Sequence, residues 1–243
     1  MMQLQGCRVV LTGGTGTLGS ELIPLLEKRG AFVIAPTRKE MDITDGHSVG
    51  DFFSKGRGRG CDMLIHCAAY TNVPDAQLPA NHRKVLNANV FGTGYLASWA
   101  KHNHFKMVYI STDYVYEGTK GNYRVTDIAK PFCFYGYSKL AGEAFIPSNG
   151  LVVRTSFLPR GYWGKDALTK VFADVYTSKD WVDVIAGKII DILGETGVYN
   201  VGTERKTLKD LAIQEYPEVE DLSLDKLDFG FEYPRDSSMS LDP

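Results

Sequence analysis

A short apolar run, CRVVLT (Cys7–Thr12), breaks off into a turn that places Gly13, Gly14, Gly16 and Gly19 just ahead of leucines at helical spacing, Leu18, Leu22, Leu25 and Leu26. The run reads as a buried strand, and Thr17 to Arg29 as a helix stopped by Gly30. Glycines at such a junction permit a tight turn and let the backbone approach a pyrophosphate, while the helix start offers free N–H groups and the positive end of its dipole. Two overlapping patterns fit, GxGxxG (Gly14, Gly16, Gly19) and TGxxGxxG (Gly13, Gly16, Gly19). With a strand before it and a helix after it, the loop is in the context that a dinucleotide site requires. Gly13, Thr15, Gly16, Thr17, Leu18 and Gly19 are its candidate residues.

The remaining pattern alternates in the same way. Apolar runs at Ala31–Ala35, Asp62–Cys67, Lys106–Ser111 and Leu151–Thr155 read as strands. Helical stretches are expected from Asp45 to about Lys55, from about Pro79 to His102, and from Tyr135 to Phe145. Continuous apolar strands separated by helices indicate a doubly wound (Rossmann) parallel α/β sheet covered on both faces. Residues 1–155 are expected to form the dinucleotide-binding domain and 156–243 a small substrate lobe, with 181–202 returning to the sheet. SFLPRGYWGKDALTK (Ser156–Lys170) reads as a loop and helix beside a ligand cleft.

At 243 residues with a formal net charge of -2, the chain has neither the basic balance of a nucleic-acid binder nor an apolar run long enough to span a membrane. KGRGRG (Lys55–Gly60) reads as a solvated loop. Cys7, Cys61, Cys67 and Cys133 form no CxxC pair and no metal-like spacing with histidine, so idle thiols, a cytoplasmic location and no metal are expected. His66, His82, His102 and His104 read as ordinary core or surface residues.

Past the second strand, PTRKEMDITD presents Arg38 and Lys39 first and Asp42 only later. An acidic residue there would hold the ribose of NAD, whereas cations suit the 2'-phosphate of NADP. NADPH is the expected cofactor, with NADH as an alternative. Two tyrosines are followed by a lysine at i+4, Tyr135–Lys139 and Tyr116–Lys120. Gly118 and Gly121 break any helix at the second pair, so only Tyr135 and Lys139 are expected to share a helix face. An ammonium about 4 Å from a phenol is worth roughly 4 kcal/mol at an effective dielectric of 20, enough to draw its pKa down towards neutrality. Ser111, Thr112 and Asp113 end the fourth strand, at the edge where such sheets bind ligands.

The glycine loop, STD after the fourth strand and YGYSKLAGE together resemble an extended short-chain dehydrogenase/reductase. Within that superfamily MDITD, HCAAYTNVPDAQ, STDYVY, YGYSKLAGE and PRDSSMSL are similar to dTDP-4-dehydrorhamnose reductases, densely from Cys7 to about Ser156 and thinly afterwards. The resemblance implies Thr112, Tyr135 and Lys139 as the catalytic trio, with Tyr135 and Lys139 also touching the cofactor. It further implies that Asp42, Ile43, Cys67, Ala68, Ala69 and Tyr70 lie along the cofactor, that Asp113 and Tyr114 line the substrate side, and that Asn89 is a structural polar residue. The implied reaction is NADPH-dependent reduction of a nucleotide-linked 4-keto-6-deoxyhexose, with a nucleotide-sugar as partner and a homodimer as a compatible assembly. The rivals are an epimerase or dehydratase that retains its cofactor, and a non-catalytic NADP-binding regulatory subunit. Two departures stand out. RTSFLPRGYWG occupies the place of a tryptophan and a VYG-like segment, and the chain is short between Arg154 and Val201. Glu21 matches a glutamate that helps a magnesium-bridged dimer in some members, but no partner ligands accompany it.

Overall fold

Valine, isoleucine and leucine crowd into six short runs, of which the four inner ones are buried on both faces and the two edge ones only in part. In the computed structural model, which describes residues 3–163, 170–227 and 233–241, these runs are β1 (Arg8–Thr12), β2 (Phe32–Ile34), β3 (Met63–His66), β4 (Lys106–Thr112), β5 (Leu151–Thr155) and β6 (Gly197–Val201). They form one six-stranded sheet in the order β2-β1-β3-β4-β5-β6. Every neighbouring pair is parallel.

The helices that divide the strands are α1 (Thr17–Lys28), α2 (Gly46–Ser54), α3 (Thr93–Asn103), α4 (Phe134–Glu143) and α5 (Val182–Asp191). Alternate strand residues serve opposite layers. Val9, Leu11 and Val153 pack with Leu22 and Leu26 of α1 and Ile185 and Ile189 of α5. Val10, Leu64 and Met107 pack with Val49 and Phe53 of α2 and Leu96 and Ala100 of α3. Strand order reverses between β1 and β3, and the crevice outside the carboxyl ends at such a reversal is where ligands sit.

The expected long helix from Pro79 to His102 is instead a composite. A 3₁₀ turn (Pro79–Asn81), an α-helix (His82–Leu86) and a π-helical stretch (Asn87–Gly92) precede α3. π segments are commonly retained at functional sites. This one brings Asn89 inward and presses Gly92 against the backbone of Ile43, where a Cβ would stand 2.9 Å from the carbonyl oxygen.

Beyond β5 the chain pairs briefly, Phe157–Leu158 with Asp180–Trp181, Lys170–Phe172 with Glu220–Leu222, and Tyr176–Thr177 with Lys206–Thr207. Trp163, Val171, Trp181 and Leu211 form a separate small core there. Residues 182–191 and 197–201 rejoin the main sheet as α5 and β6. The helix expected within Ser156–Lys170 falls largely on 164–169, outside the described residues.

Candidate active site

The glycine loop lies where β1 and β3 leave the sheet side by side. Gly13 has φ +73°, and a Cβ on it would stand 2.7 Å from the Ala68 nitrogen, so both the backbone angle and the space demand glycine. Gly14 faces the other way, towards the Ala35 side chain at 2.7 Å, and serves packing rather than ligand approach. A Cβ on Gly16 would meet the Gly13 oxygen at 3.2 Å, and one on Gly19 would run into the same carbonyl. Gly16 caps α1 with no side chain bonded across the helix start, which leaves the first-turn N–H groups available to an anion. Of the two overlapping patterns, Gly13–Gly16–Gly19 is therefore the one that shapes the cradle.

Two cavities open from this loop and share Gly13, Thr15, Ala68 and Ala69. The smaller, about 300 Å³, is closed by Pro36, Arg38, Met41, Asp42, Ile43 and Tyr70. Arg38 lies 3.1 Å from Asp42 in an ion pair, and Asp42 also accepts from the Thr44 amide and hydroxyl at 2.9 and 2.7 Å. Lys39 is exposed and does not line the cavity. The larger, about 680 Å³, runs past Thr17, Leu18, Gly19 and Cys67 to Thr112, Asp113, Tyr114, Tyr135 and Lys139. The structure thus brings the sequence candidates into one continuous groove, with Lys39 outside its lining.

Tyr135 and Lys139 stand one turn apart on α4, whose start is held by the Cys133 sulfur accepting the Gly136 amide at 3.4 Å. Thr112 ends β4, accepts the Tyr114 amide at 3.2 Å, donates to Asp113 Oδ1 at 3.1 Å, and lines the larger cavity together with Tyr135. Tyr116, by contrast, is fully buried, accepts Arg154 Nη1 at 2.9 Å and stacks on Tyr123. Lys120 pairs with Asp127 instead of meeting Tyr116. Gly118 and Gly121, with φ +77° and +68°, do break that stretch.

The electrostatics differ from the expected tuning of Tyr135 by Lys139. Burial, reinforced by the Asp113 carboxylate, pushes the Tyr135 phenol well up, and Thr112 only partly offsets this. Lys139, 2% exposed, has its Nζ 4.1 Å from the centre of the Tyr109 ring. Burial lowers it to about 7, with Cys67 and Glu143 pulling the other way. Helical spacing brings both groups to one cavity, and there desolvation is the largest influence on each.

Supporting polar residues hold the groove's walls. Asn89 accepts the Tyr70 amide at 2.7 Å and donates to the Tyr70 carbonyl and to Ser138 at 3.1 and 2.9 Å, tying the β3 exit to α4. His66 sits between Thr12 and Thr93 at 2.7 and 3.1 Å, and burial beside Lys139 lowers it to about 3, so it is a neutral structural group. Sequence reasoning missed Thr155, Ser156, Tyr162 and Lys179, which line the larger cavity, and Ser237, which donates to Asp113 Oδ2 at 2.8 Å. Thr155 had a readable signal as the last residue of a predicted strand, Ser156 and Tyr162 lay in the stretch read as bordering a ligand cleft, and Ser237 lay in the family-like PRDSSMSL. Among the described residues no cluster of His, Cys, Asp or Glu is placed to hold a metal ion, and no helix is long and apolar enough to cross a membrane.

Known proteins share this arrangement. A dTDP-4-dehydrorhamnose reductase of Aggregatibacter actinomycetemcomitans is 33% identical over 187 residues, 75% of this chain but only 61% of that protein. A dTDP-4-keto-6-deoxy-D-glucose reductase of Streptomyces niveus is 30% identical over 212 residues, 79% of this chain and 72% of that one. The crystal structure of dTDP-4-dehydrorhamnose reductase from Bacillus anthracis, in complex with NADP, superposes with a TM-score of 0.86 at 26% identity, covering 98% of this chain and 92% of that chain. Residues 7–190 match the family described as the RmlD substrate binding domain. With that match spanning five of the six strands, the glycine loop and Thr112, Tyr135 and Lys139, the chain belongs to the RmlD family.

Proposed function

We propose that the protein is an NADPH-dependent reductase of a nucleotide-linked 4-keto-6-deoxyhexose, acting in deoxysugar biosynthesis. The observation that carries this reading is the meeting of the Thr112 and Tyr135 hydroxyls in a groove that begins at a phosphate-ready glycine loop. A cradle at Gly13, Gly16 and Gly19 that any Cβ would fill fits the pyrophosphate of a dinucleotide. The smaller cavity, with Arg38 on its wall, fits an adenosine carrying a 2'-phosphate. The Bacillus anthracis relative was solved with NADP. When bound, the reduced nicotinamide supplies hydride to a carbonyl carbon.

This chain's own residues supply the proton and hold the oxygen. A phenol kept protonated by burial across the neutral range is a proton donor, which suits the reductive direction. Tyr135 gives its proton to the substrate oxygen as negative charge develops there, and Thr112 turns its hydroxyl proton from Asp113 Oδ1 to the same oxygen. Lys139, beside the β3 exit, binds the cofactor ribose. Asp113 and Tyr114 border the substrate end, residues 1–155 carry the cofactor, and residues 156–243, apart from the return to the sheet at 181–202, form the substrate lobe around Tyr162 and Lys179. Thiols held above their ordinary range by burial at Cys61, Cys67 and Cys133 suit a reducing cytoplasm, and a homodimer is compatible with this reading.

The deciding assay mixes purified protein, NADPH and a dTDP-linked 4-keto-6-deoxyhexose. Net oxidation of NADPH, one equivalent per sugar reduced, is the expected result. Sugar conversion with no net NADPH loss would identify an epimerase or dehydratase, and NADPH binding without conversion would identify a regulatory subunit.

Cofactor choice makes a separate prediction. Arg38→Ala is expected to weaken NADPH about tenfold or more and NADH by less than about twofold, as loss of a charge-assisted phosphate contact requires. Lys39→Ala should have the smaller effect, because Lys39 stands outside the cavity lining. Fluorescence titration of both cofactors checks this; equal losses for the two would remove Arg38 from the phosphate site.

A further inference from the structure

Four distant stretches of chain meet at one buried carboxylate. Asp113 is 1% exposed. Its Oδ1 accepts from Thr112 at 3.1 Å and its Oδ2 accepts from Ser237 at 2.8 Å. Ser156, just past β5, adds a further hydroxyl contact, and the Lys179 ammonium acts on it from the lobe. Ser237 belongs to a C-terminal segment that lies beyond the residues matched by the family, 7–190.

That segment is anchored on both sides of Ser237. The Ser237 amide donates to the Tyr176 carbonyl at 3.0 Å. Asp236 accepts from Arg205 at 2.9 Å and from the Ser238 hydroxyl at 2.6 Å. The Tyr123 amide donates to the Ser238 carbonyl at 2.9 Å and the Tyr123 carbonyl accepts the Ser240 amide at 2.8 Å, and the Met239 amide reaches Ser178 at 3.0 Å. A strand end more than a hundred residues away in sequence thus receives a hydroxyl whose position is fixed by backbone bonds on its own segment and its neighbours.

We propose that Ser237 is a positioning residue for the reaction, holding the Asp113 carboxylate and through it the Thr112 hydroxyl that meets Tyr135. The proposal rests on the reductase reading above. An ionised Asp113 offers one oxygen to Thr112 and the other to Ser237, so both hydroxyls are held at once. Removing the Ser237 hydroxyl strips one oxygen of its partner in a dry site. The carboxyl group then turns or takes up a proton, and Thr112 loses its fixed acceptor either way. The groups facing Asp113 are Lys179 from the lobe, Tyr135 and Cys133 from α4, and Tyr114 beside it. The Ser237 bond lowers the Asp113 pKa against the larger, opposing effect of burial. Losing that bond raises it, so activity that needs the carboxylate must fade at a higher pH than before.

The test is Ser237→Ala and Ser237→Thr, each made in the natural chain and in an Asp113→Asn background, assayed with NADPH and a dTDP-linked 4-keto-6-deoxyhexose. Expected for Ser237→Ala are a kcat lower by about tenfold, NADPH affinity within about twofold, and the acid limb of kcat/KM moved to higher pH. Ser237→Thr, which keeps the hydroxyl, should recover most of the activity, and Ser237→Ala should cost little more once Asp113 is asparagine. An unchanged kcat, a full additional loss in the asparagine background, or a parallel fall in NADPH affinity overturns the proposal. If the natural chain reduces no keto-sugar, the reductase reading fails on its own. Thermal unfolding of the natural chain, Ser237→Ala, Asp113→Asn and the double variant then judges the contact without substrate, and additive midpoints would overturn it.

Discussion

Tyr135→Phe is expected to lower turnover by about 10²–10⁴-fold, the range for losing a general acid, while NADPH affinity and thermal stability stay close to those of the natural chain. The substitution removes one oxygen and leaves the ring against Tyr114, whose centroid lies 6.3 Å away. It also relieves the protein of a phenol that burial already disfavours in its charged form. Tyr116→Phe is the paired control with the opposite profile. Tyr116 accepts from Arg154 and lies 3.0 Å from Asn200 Oδ1. Losing it leaves a buried guanidinium one partner short, at a cost of about 1–3 kcal/mol in stability, with turnover reduced far less. Side-by-side kinetics and melting curves of the two variants check both halves. Active Tyr135→Phe with inactive Tyr116→Phe would transfer the chemistry to the other tyrosine and undo the reductase reading with it.

The contrast between these tyrosines also marks how far sequence reaches. Gly118 and Gly121 deny Tyr116 a helical lysine, and that was legible because helix breaking is local. The glycine loop was legible for the same reason: strand, turn and helix are contiguous, and Gly13 must adopt a left-handed backbone next to Ala68. Burial is not local. The buried pair of Arg154 and Glu143, with side chains 7% and 8% exposed, joins β5 to α4. Glu143 also accepts the Ser111 hydroxyl at 2.5 Å, and nothing in the spacing of these residues announces either contact. Ser237 and Lys179 reach Asp113 only through tertiary folding. The π-helical stretch at Asn87–Gly92 follows from Asn89 finding partners on Tyr70 and Ser138, again across the fold. Periodicity therefore located the elements and the Tyr135–Lys139 pair, and the family resemblance added Thr112, whereas the protonation states came from how deeply the sheet edge is covered.

Lys139→Met should expose that last point, because it is expected to abolish useful turnover and yet ease the folded state of a charge. Lys139 lines the groove, and on the reductase reading proposed above it binds the cofactor ribose, so NADPH affinity and kcat should fall together, kcat by about 10²-fold or more. Stability should move the other way at neutral pH and below. Burial lowers the folded lysine from 10.5 to about 7, so the unfolded chain binds the proton more tightly. Below about 7 both states hold it and the full penalty of a buried ammonium is present. As pH rises from 7 towards 10.5 the folded chain sheds the proton first, and the penalty is progressively lifted. Between about pH 7 and 8.5 this contributes on the order of 2 kcal/mol of rising stability in the natural chain. The window stops there because the raised thiols of Cys61, Cys67 and Cys133 act in the opposite sense above about 9. Methionine fills similar space over the Tyr109 ring and carries no proton, so its melting temperature should lack this lysine-linked rise. Melting curves of both chains from pH 6 to 8.5 measure the difference. A natural chain whose stability does not rise relative to the variant across that range would mean that Lys139 keeps an ordinary, solvated ammonium. It would then be free to lower the Tyr135 phenol as its helical spacing first implied.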